Sequence, residues 1–182
     1  MGKCRNTYIE TIAVLCSSGE NMPLGIKCAK GYIYARIFEN SRLYHRIKEC
    51  MHIFIYPTLN AKIFYQSLKK NLKTVYSARH QCYIIPGVPI YIEGKINRVT
   101  QHDNYEVIEI TPLNETKALT LLENGYSRAD GCLIELMVYY TKLQANITSK
   151  EEYCKIYETC SKSIKRSTSD ELYLKMMDEL KC

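Results

Sequence analysis

Between Glu10 and Lys48 the strand signals follow one another so closely that few folds can accommodate them. Thr7 to Ser17 alternates and is rich in β-formers (Tyr8, Ile9, Thr11, Ile12, Val14, Leu15), and Ser17-Ser18-Gly19-Glu20-Asn21 reads as a turn. Pro23 to Lys30 then reads as a return strand and Gly31 to Phe38 as a third. Connections this short leave no length for a parallel crossover, so the three strands form an antiparallel meander. Asn40 or Ser41 suits a helix N-cap, and Leu43, Ile47 and Cys50 recur at helical spacing, which predicts a short amphipathic helix over Arg42 to Glu49.

The pattern continues with a strand at His52 to Tyr56 stopped by Pro57 and a second short helix over Ala61 to Lys70, with Ile63, Phe64 and Leu68 inward. Residues 71–87 carry little signal beyond a strand at Cys82 to Ile85 before Pro86-Gly87. Ile90 to Val99 and Tyr105 to Thr111 alternate on either side of Gln101-His102-Asp103-Asn104, a β-hairpin pattern. Consecutive antiparallel strands with few crossovers argue for a small β-barrel with helices at its rim. The composition shifts after Leu113. A short helix at Ala118 to Glu123 and a long one over Arg128 to Ala145 (Leu133, Met137, Tyr140, Leu143) are expected. Ser149-Lys150-Glu151-Glu152 is a capping box opening a helix over Glu151 to Ile164, and Ser167 or Ser169 caps a last helix through Leu180. The expectation is a mainly β fold with α: a barrel domain over 1–115 and a helical C-terminal subdomain over 116–182, which suits 182 residues better than two full domains.

No apolar run reaches the roughly 18 residues that a membrane-spanning helix needs. Met1-Gly2-Lys3-Cys4-Arg5-Asn6 leads into strand-like sequence without a signal-peptide core, so a cytoplasmic protein is expected. The net charge of +6 serves solubility and equally suits an anionic ligand. The densest basic patches, Lys69 to Lys73 and Lys162 to Arg166, are short. Nine cysteines contain no CxxC pair, which is neither a zinc spacing nor a secreted disulfide framework. Cys16, Cys28 and Cys132 fall at core-facing positions and read as small buried hydrophobes, with a disulfide from Cys154 to Cys160 or Cys182 as the alternative.

Two places carry candidate chemistry. A helix start exposes unpaired N–H groups, Ser41 can cap it or bond an oxyanion, and Arg42 in the first turn opposes the helix dipole unless an anion sits there. Arg36, on the strand leading in, reaches toward the same point. An ordinary cap with two surface arginines accounts for the same residues. In Met22-Pro23-Leu24-Gly25-Ile26, a glycine inside a strand marks either close backbone approach by a ligand or a bulge at a barrel corner. No GxSxG, HExxH, P-loop or GxGxxG pattern occurs, and His45, His52, His80 and His102 have no metal-ligand spacing, so no metal and no side-chain nucleophile is expected. Sixteen tyrosines on a basic chain raise nucleic-acid stacking, but many lie at packing positions (Tyr8, Tyr91, Tyr139) and no RNA-binding signature accompanies them.

Taken in order, these pieces resemble an archaeal flavoprotein family with the FMN-binding split-barrel, flavin reductase-like fold. Glu10-Thr11-Ile12-Ala13 and Pro23-Leu24-Gly25-Ile26 match its first two strands. Asn40-Ser41-Arg42-Leu43-Tyr44 resembles its Gly-Ser-x-Thr-Tyr turn, and Ser127-Arg128-Ala129-Asp130-Gly131-Cys132-Leu133-Ile134-Glu135 resembles its Asn-Arg-Ala helix start. The likeness covers about residues 8–145; Asn40, Leu43 and Ser127 depart from the family's glycine, threonine and asparagine. The resemblance implies a six-stranded antiparallel split barrel, a homodimer, and FMN near the subunit interface. It implies Ser41 and Arg42 as phosphate contacts, backbone at Leu24, Gly25 and Ile26 beside the flavin ring, Arg36 and Tyr44 as neighbours, and Lys62 facing the flavin. The function expected is an FMN-dependent oxidoreductase, with a nicotinamide as the simplest electron donor. A non-catalytic basic module for nucleic acid, or a dimeric barrel scaffold without flavin, are the alternatives.

Overall fold

The computed structural model describes residues 8–39, 41, 43–58, 60–113, 125–144 and 146–182. They form two compact units, Ile9–Gly125 and Tyr126–Cys182. In chain order the first unit holds β1 (Tyr8–Leu15), β2 (Asn21–Ala29), β3 (Tyr32–Phe38), α1 (Leu43–Arg46) with a 3-10 turn (Ile47–Glu49), β4 (His52–Pro57), α2 (Ala61–Leu68), β5 (Val75–Ser77), β6 (Cys82–Ile84), β7 (Ile92–Gln101) and β8 (Tyr105–Pro112). The second holds β9 (Tyr126–Ser127), α3 (Arg128–Gln144), α4 (Lys150–Ser167) and α5 (Glu171–Glu179).

Strands run side by side in the order β2-β3-β8-β7-β4-β1, and β1 pairs again with β2, which closes a six-stranded antiparallel barrel. Closure removes the open edges that would otherwise template aggregation. The meander expected over 7–38 is present. Its second turn is the two-residue Lys30-Gly31 hairpin, with both residues at positive φ and Ala29 opposite Tyr32. Inside the barrel, alternate residues of each strand interdigitate: Ile26 and Cys28 from β2, Ile33, Ala35 and Ile37 from β3, Ile108 and Ile110 from β8. Gly94 is required where β7 passes this core, because a Cβ there would collide with the Ile110 side chain.

β1 and β4 are covered on both sides, so β1 is buried continuously from Thr11 to Leu15 where alternation was expected. Ala13, Leu15, Ile53 and Ile55 face the interior. Ile12, Val14, Phe54 and Tyr56 face outward into a second cluster with Ile85, against which Ile63, Phe64 and Tyr91 pack. The cover includes α2 and the two-stranded β5–β6 ribbon.

The helix expected over Arg42 to Glu49 is one α-turn followed by a 3-10 turn, so it carries little of a macrodipole. Leu43, Tyr44, Ile47 and Cys50 do face the core. β5 carries no apolar alternation and was not expected from the sequence. In the helical unit, Leu133, Leu136, Cys160, Ile164 and Met177 form the core. Ser127 caps α3 through the N–H groups of Ala129 and Asp130, and Ser149 caps α4 through Glu152 N–H. The last helix is capped by Asp170, not by Ser167 or Ser169; Ser167 still belongs to α4. The helix expected at Ala118 to Glu123 lies outside the described residues.

The cysteine expectation holds for Cys132 and for the Cys154–Cys182 alternative and is corrected for Cys16 and Cys28. Cys16 is joined to Cys82 and Cys154 to Cys182, and Cys28 is also disulfide-bonded; Cys50, Cys132 and Cys160 are free thiols. Even spacing and apolar flanks cannot tell a buried thiol from half of a disulfide whose other half lies 66 residues away.

Tyr56 is fully buried, and its hydroxyl accepts the Ile85 N–H at 3.1 Å. Burial pushes its pKa up from 10.0 to about 12, against the opposing pull of the Ile85 hydrogen bond. Its contribution to stability is therefore whole below pH 10 and is lost as pH rises from 10 to about 12. Tyr56→Phe leaves the Ile85 N–H without this acceptor and should cost about 1–3 kcal/mol at neutral pH. Urea unfolding should also show a shallower alkaline loss of stability in the variant than in the native protein.

Candidate functional site

The β2–β3–α1 corner gathers most of the residues that the sequence singles out. Leu24 and Ile26 are buried, so only their backbone can meet a ligand. The Leu24 carbonyl already accepts the Thr11 hydroxyl at 2.8 Å. Ile26 stands opposite Ala35, so the next residues along the ladder, Gly25 and Arg36, fall beside each other on the outer face. Arg36 is exposed, with its guanidinium 5.4 Å from the centre of the Tyr105 ring. Tyr44 is buried in the barrel core, 5.4 Å beneath the Lys48 ammonium. Arg42 lies outside the described residues, as does the side chain of Lys62 on α2.

Ser41 does not act as the cap. Its N–H donates to the Phe38 carbonyl at 2.8 Å and its carbonyl accepts the Tyr44 N–H at 3.2 Å, but its Oγ is sealed from solvent without a hydrogen-bond partner among the described residues. Native proteins rarely leave a buried hydroxyl unsatisfied, and each instance asks what fills it. Close by in the fold, Glu106 stands opposite Ile37, fully buried, with Lys48 Nζ at 2.7 Å. The bond to Glu106 holds the Lys48 ammonium above its ordinary range, and the second Glu106 oxygen makes no hydrogen bond among the described residues. The corner therefore carries two incompletely satisfied polar side chains at one end of the barrel.

A separate cavity of about 470 Å³ opens where β1 ends and β4 begins, lined by residues 16–17, 49–54, 80–82, 93–94 and 113. None of the eight residues singled out from the sequence lines it. Its wall includes the Cys16–Cys82 disulfide, and His80 and Glu93 meet there at 2.7 Å. Neither histidine nor carboxylate showed a spacing in the sequence that could have revealed the pair, because a loop and a strand bring them together. Among the described residues, no three His, Cys, Asp or Glu side chains gather as metal ligands. No helix among them is long and apolar enough to cross a membrane.

No family model matches the sequence, and no curated protein does either. Solved structures do match in fold. An FMN-bound protein from Methanosarcina mazei superposes with a TM-score of 0.50 at 15% identity, over 97% of this chain and 96% of that one. A flavin reductase domain protein from Arthrobacter sp. FB24 gives 0.49 at 15%, over 60% and 77%, and the flavin reductase HpaC with NADP+ gives 0.47 at 14%, over 60% and 78%. The fold is the split barrel that the FMN-bound Methanosarcina mazei protein also adopts. The barrel order described above is this split barrel, with the helical unit included in the 97% match.

The Cys16–Cys82 disulfide ties the end of β1 to the β5–β6 ribbon and forms part of the cavity wall. The double variant Cys16→Ala/Cys82→Ala should lose about 2–4 kcal/mol, since the bond closes a long loop in the unfolded chain. Denaturant unfolding checks this, and reduction of the native protein should move its midpoint in the same direction.

Proposed function

We propose that this protein binds FMN and is an oxidoreductase of the flavin reductase type, taking electrons from a nicotinamide donor. The observation that carries the reading is the Ser41 hydroxyl, buried and without a partner among the described residues where β3 turns into α1 of a split barrel. A phosphate oxygen is the acceptor such a group lacks, and Arg42 and Arg36, adjacent in the chain and on the strand leading in, supply matching charge. The FMN carried by the Methanosarcina mazei protein of like fold supports the same reading.

In this arrangement Ser41 and Arg42 hold the phosphate, and the backbone of Leu24-Gly25-Ile26 flanks the ring with no side chain at Gly25 to obstruct it. Lys48 offsets the buried Glu106 carboxylate, so the corner does not repel an anion. Bound flavin supplies the electron-transfer chemistry. The residues of the chain bind and orient it, which agrees with a sequence that carries no nucleophile motif. A homodimer with the flavin near the interface, Lys62 facing the ring, and archaeal origin complete the proposal. A location in the cytoplasm would then be of the disulfide-tolerant kind found in hyperthermophilic archaea, given Cys16–Cys82 and Cys154–Cys182.

Ser41→Ala and Arg42→Ala decide the phosphate assignment. In the flavin-free protein Ser41→Ala should leave stability unchanged or raise it, because it removes an unsatisfied buried hydroxyl. Each variant should weaken FMN about tenfold or more and leave riboflavin, which has no phosphate, nearly unaffected. Equal losses for both flavins in fluorescence titrations would remove Ser41 and Arg42 from the phosphate site.

A further inference from the structure

We infer that the cavity between β1 and β4 is a second binding site, for a small organic ammonium ion on a compact apolar body. It is independent of the flavin reading, since none of the residues assigned to FMN lines it. Its volume of about 470 Å³ falls in the range of small-molecule sites. The walls are mostly apolar: Met51, Ile53, Phe54 and Leu113, with the Cys16–Cys82 disulfide and Gly94. In a chain of net charge +6, no lysine or arginine among the described residues lines it, while Glu49 and Glu93 both do. Ser17, His52 and Gln81 also line it as polar groups, but the charged side chains of fixed sign on the lining are the two carboxylates, which favour a cation.

Glu93 is built as an anchor rather than left as a surface charge. Its carboxylate only accepts, so His80 Nδ1, 2.7 Å away, carries the hydrogen between them. On the far side of the ring, Nε2 and the Tyr91 hydroxyl share a hydrogen bond at 3.2 Å. The imidazole is further enclosed by edge-on contacts with Phe54 and Tyr91, at 5.6 Å between centres in each case. This chain of contacts fixes one Glu93 oxygen. The other oxygen makes no hydrogen bond to the described residues. An ammonium group of the ligand would donate to that oxygen, and its apolar body would lie against Ile53, Phe54 and the disulfide. Glu49, also on the lining, adds to the negative potential without a fixed partner among the described residues.

Calorimetric titration at low salt and pH 7 with benzylammonium, benzyl alcohol and benzoate tests the site, on protein both free of FMN and saturated with it. Benzylammonium should bind saturably in both forms, about tenfold or more tighter than benzoate, with benzyl alcohol between them. Glu93→Gln should abolish the preference for the cation. Met51→Lys places a positive charge at the cavity lining on a side chain that is 64% exposed, so folding should be unaffected and benzylammonium binding lost. Thermal unfolding checks that both variants are folded; if Glu93→Gln is not, Met51→Lys decides. Absence of saturable benzylammonium binding, equal binding of benzoate, or an unchanged preference in a folded variant would overturn the inference. Because the flavin-free protein is titrated as well, failure here is distinguishable from failure to bind FMN.

Discussion

The structure depends on the double burial of β1 and β4. These two strands supply one wall of the barrel interior through Ala13, Leu15, Ile53 and Ile55. Their outward residues, Ile12, Val14, Phe54 and Tyr56, become a second core only because other chain covers them. That requirement accounts for α2, for the β5–β6 ribbon and for the loop that follows it. Each fully buried aliphatic or aromatic side chain is worth about 1.5–3 kcal/mol, so leaving this face bare would forfeit a large share of the marginal stability of a small domain. The Ile85 N–H to Tyr56 hydroxyl bond and the Cys16–Cys82 disulfide fasten the cover in place.

Two features carry chemical promise, at the end of the barrel where β1 and β3 finish and β4 begins. Where β3 leaves the barrel, a short turn of helix plugs the interior with Leu43, Tyr44 and Ile47, and the price is a buried hydroxyl at Ser41 and a buried carboxylate at Glu106. Where the ribbon meets β1 and β4, its loop brings His80 against Glu93 beside a cavity. The proposals put an anion at the first and a cation at the second.

What could be read from the chain follows from period and length. β2, β3, β7 and β8 have an exposed face, so alternation announced them, and the 101–104 turn had the right residues, whereas Lys30, at positive φ, did not announce its hairpin. β1 and β4 were legible as dense β-formers for the opposite reason. β5 was not: Val75, Tyr76 and Ser77 are held by pairing with β6 and by the Tyr76–Tyr83 contact, which are tertiary facts. The disulfide of Cys16 and Cys82 and the pair of His80 and Glu93 were hidden for the same reason. At the proposed flavin corner, residue types pointed to Ser41, but the sequence implied a capping serine on a helix with a useful dipole. The chain instead has one helical turn and a serine whose hydroxyl caps nothing, and this sharpens the case for a phosphate partner.

The central claim is that the split barrel holds FMN, and the absorption spectrum of the protein tests it most directly. After incubation with excess FMN and removal of unbound flavin, the visible flavin bands should remain with the protein in stoichiometric amount, shifted from those of free FMN by the apolar surroundings. A protein that emerges colourless from the same treatment, while folded by circular dichroism, would contradict the account.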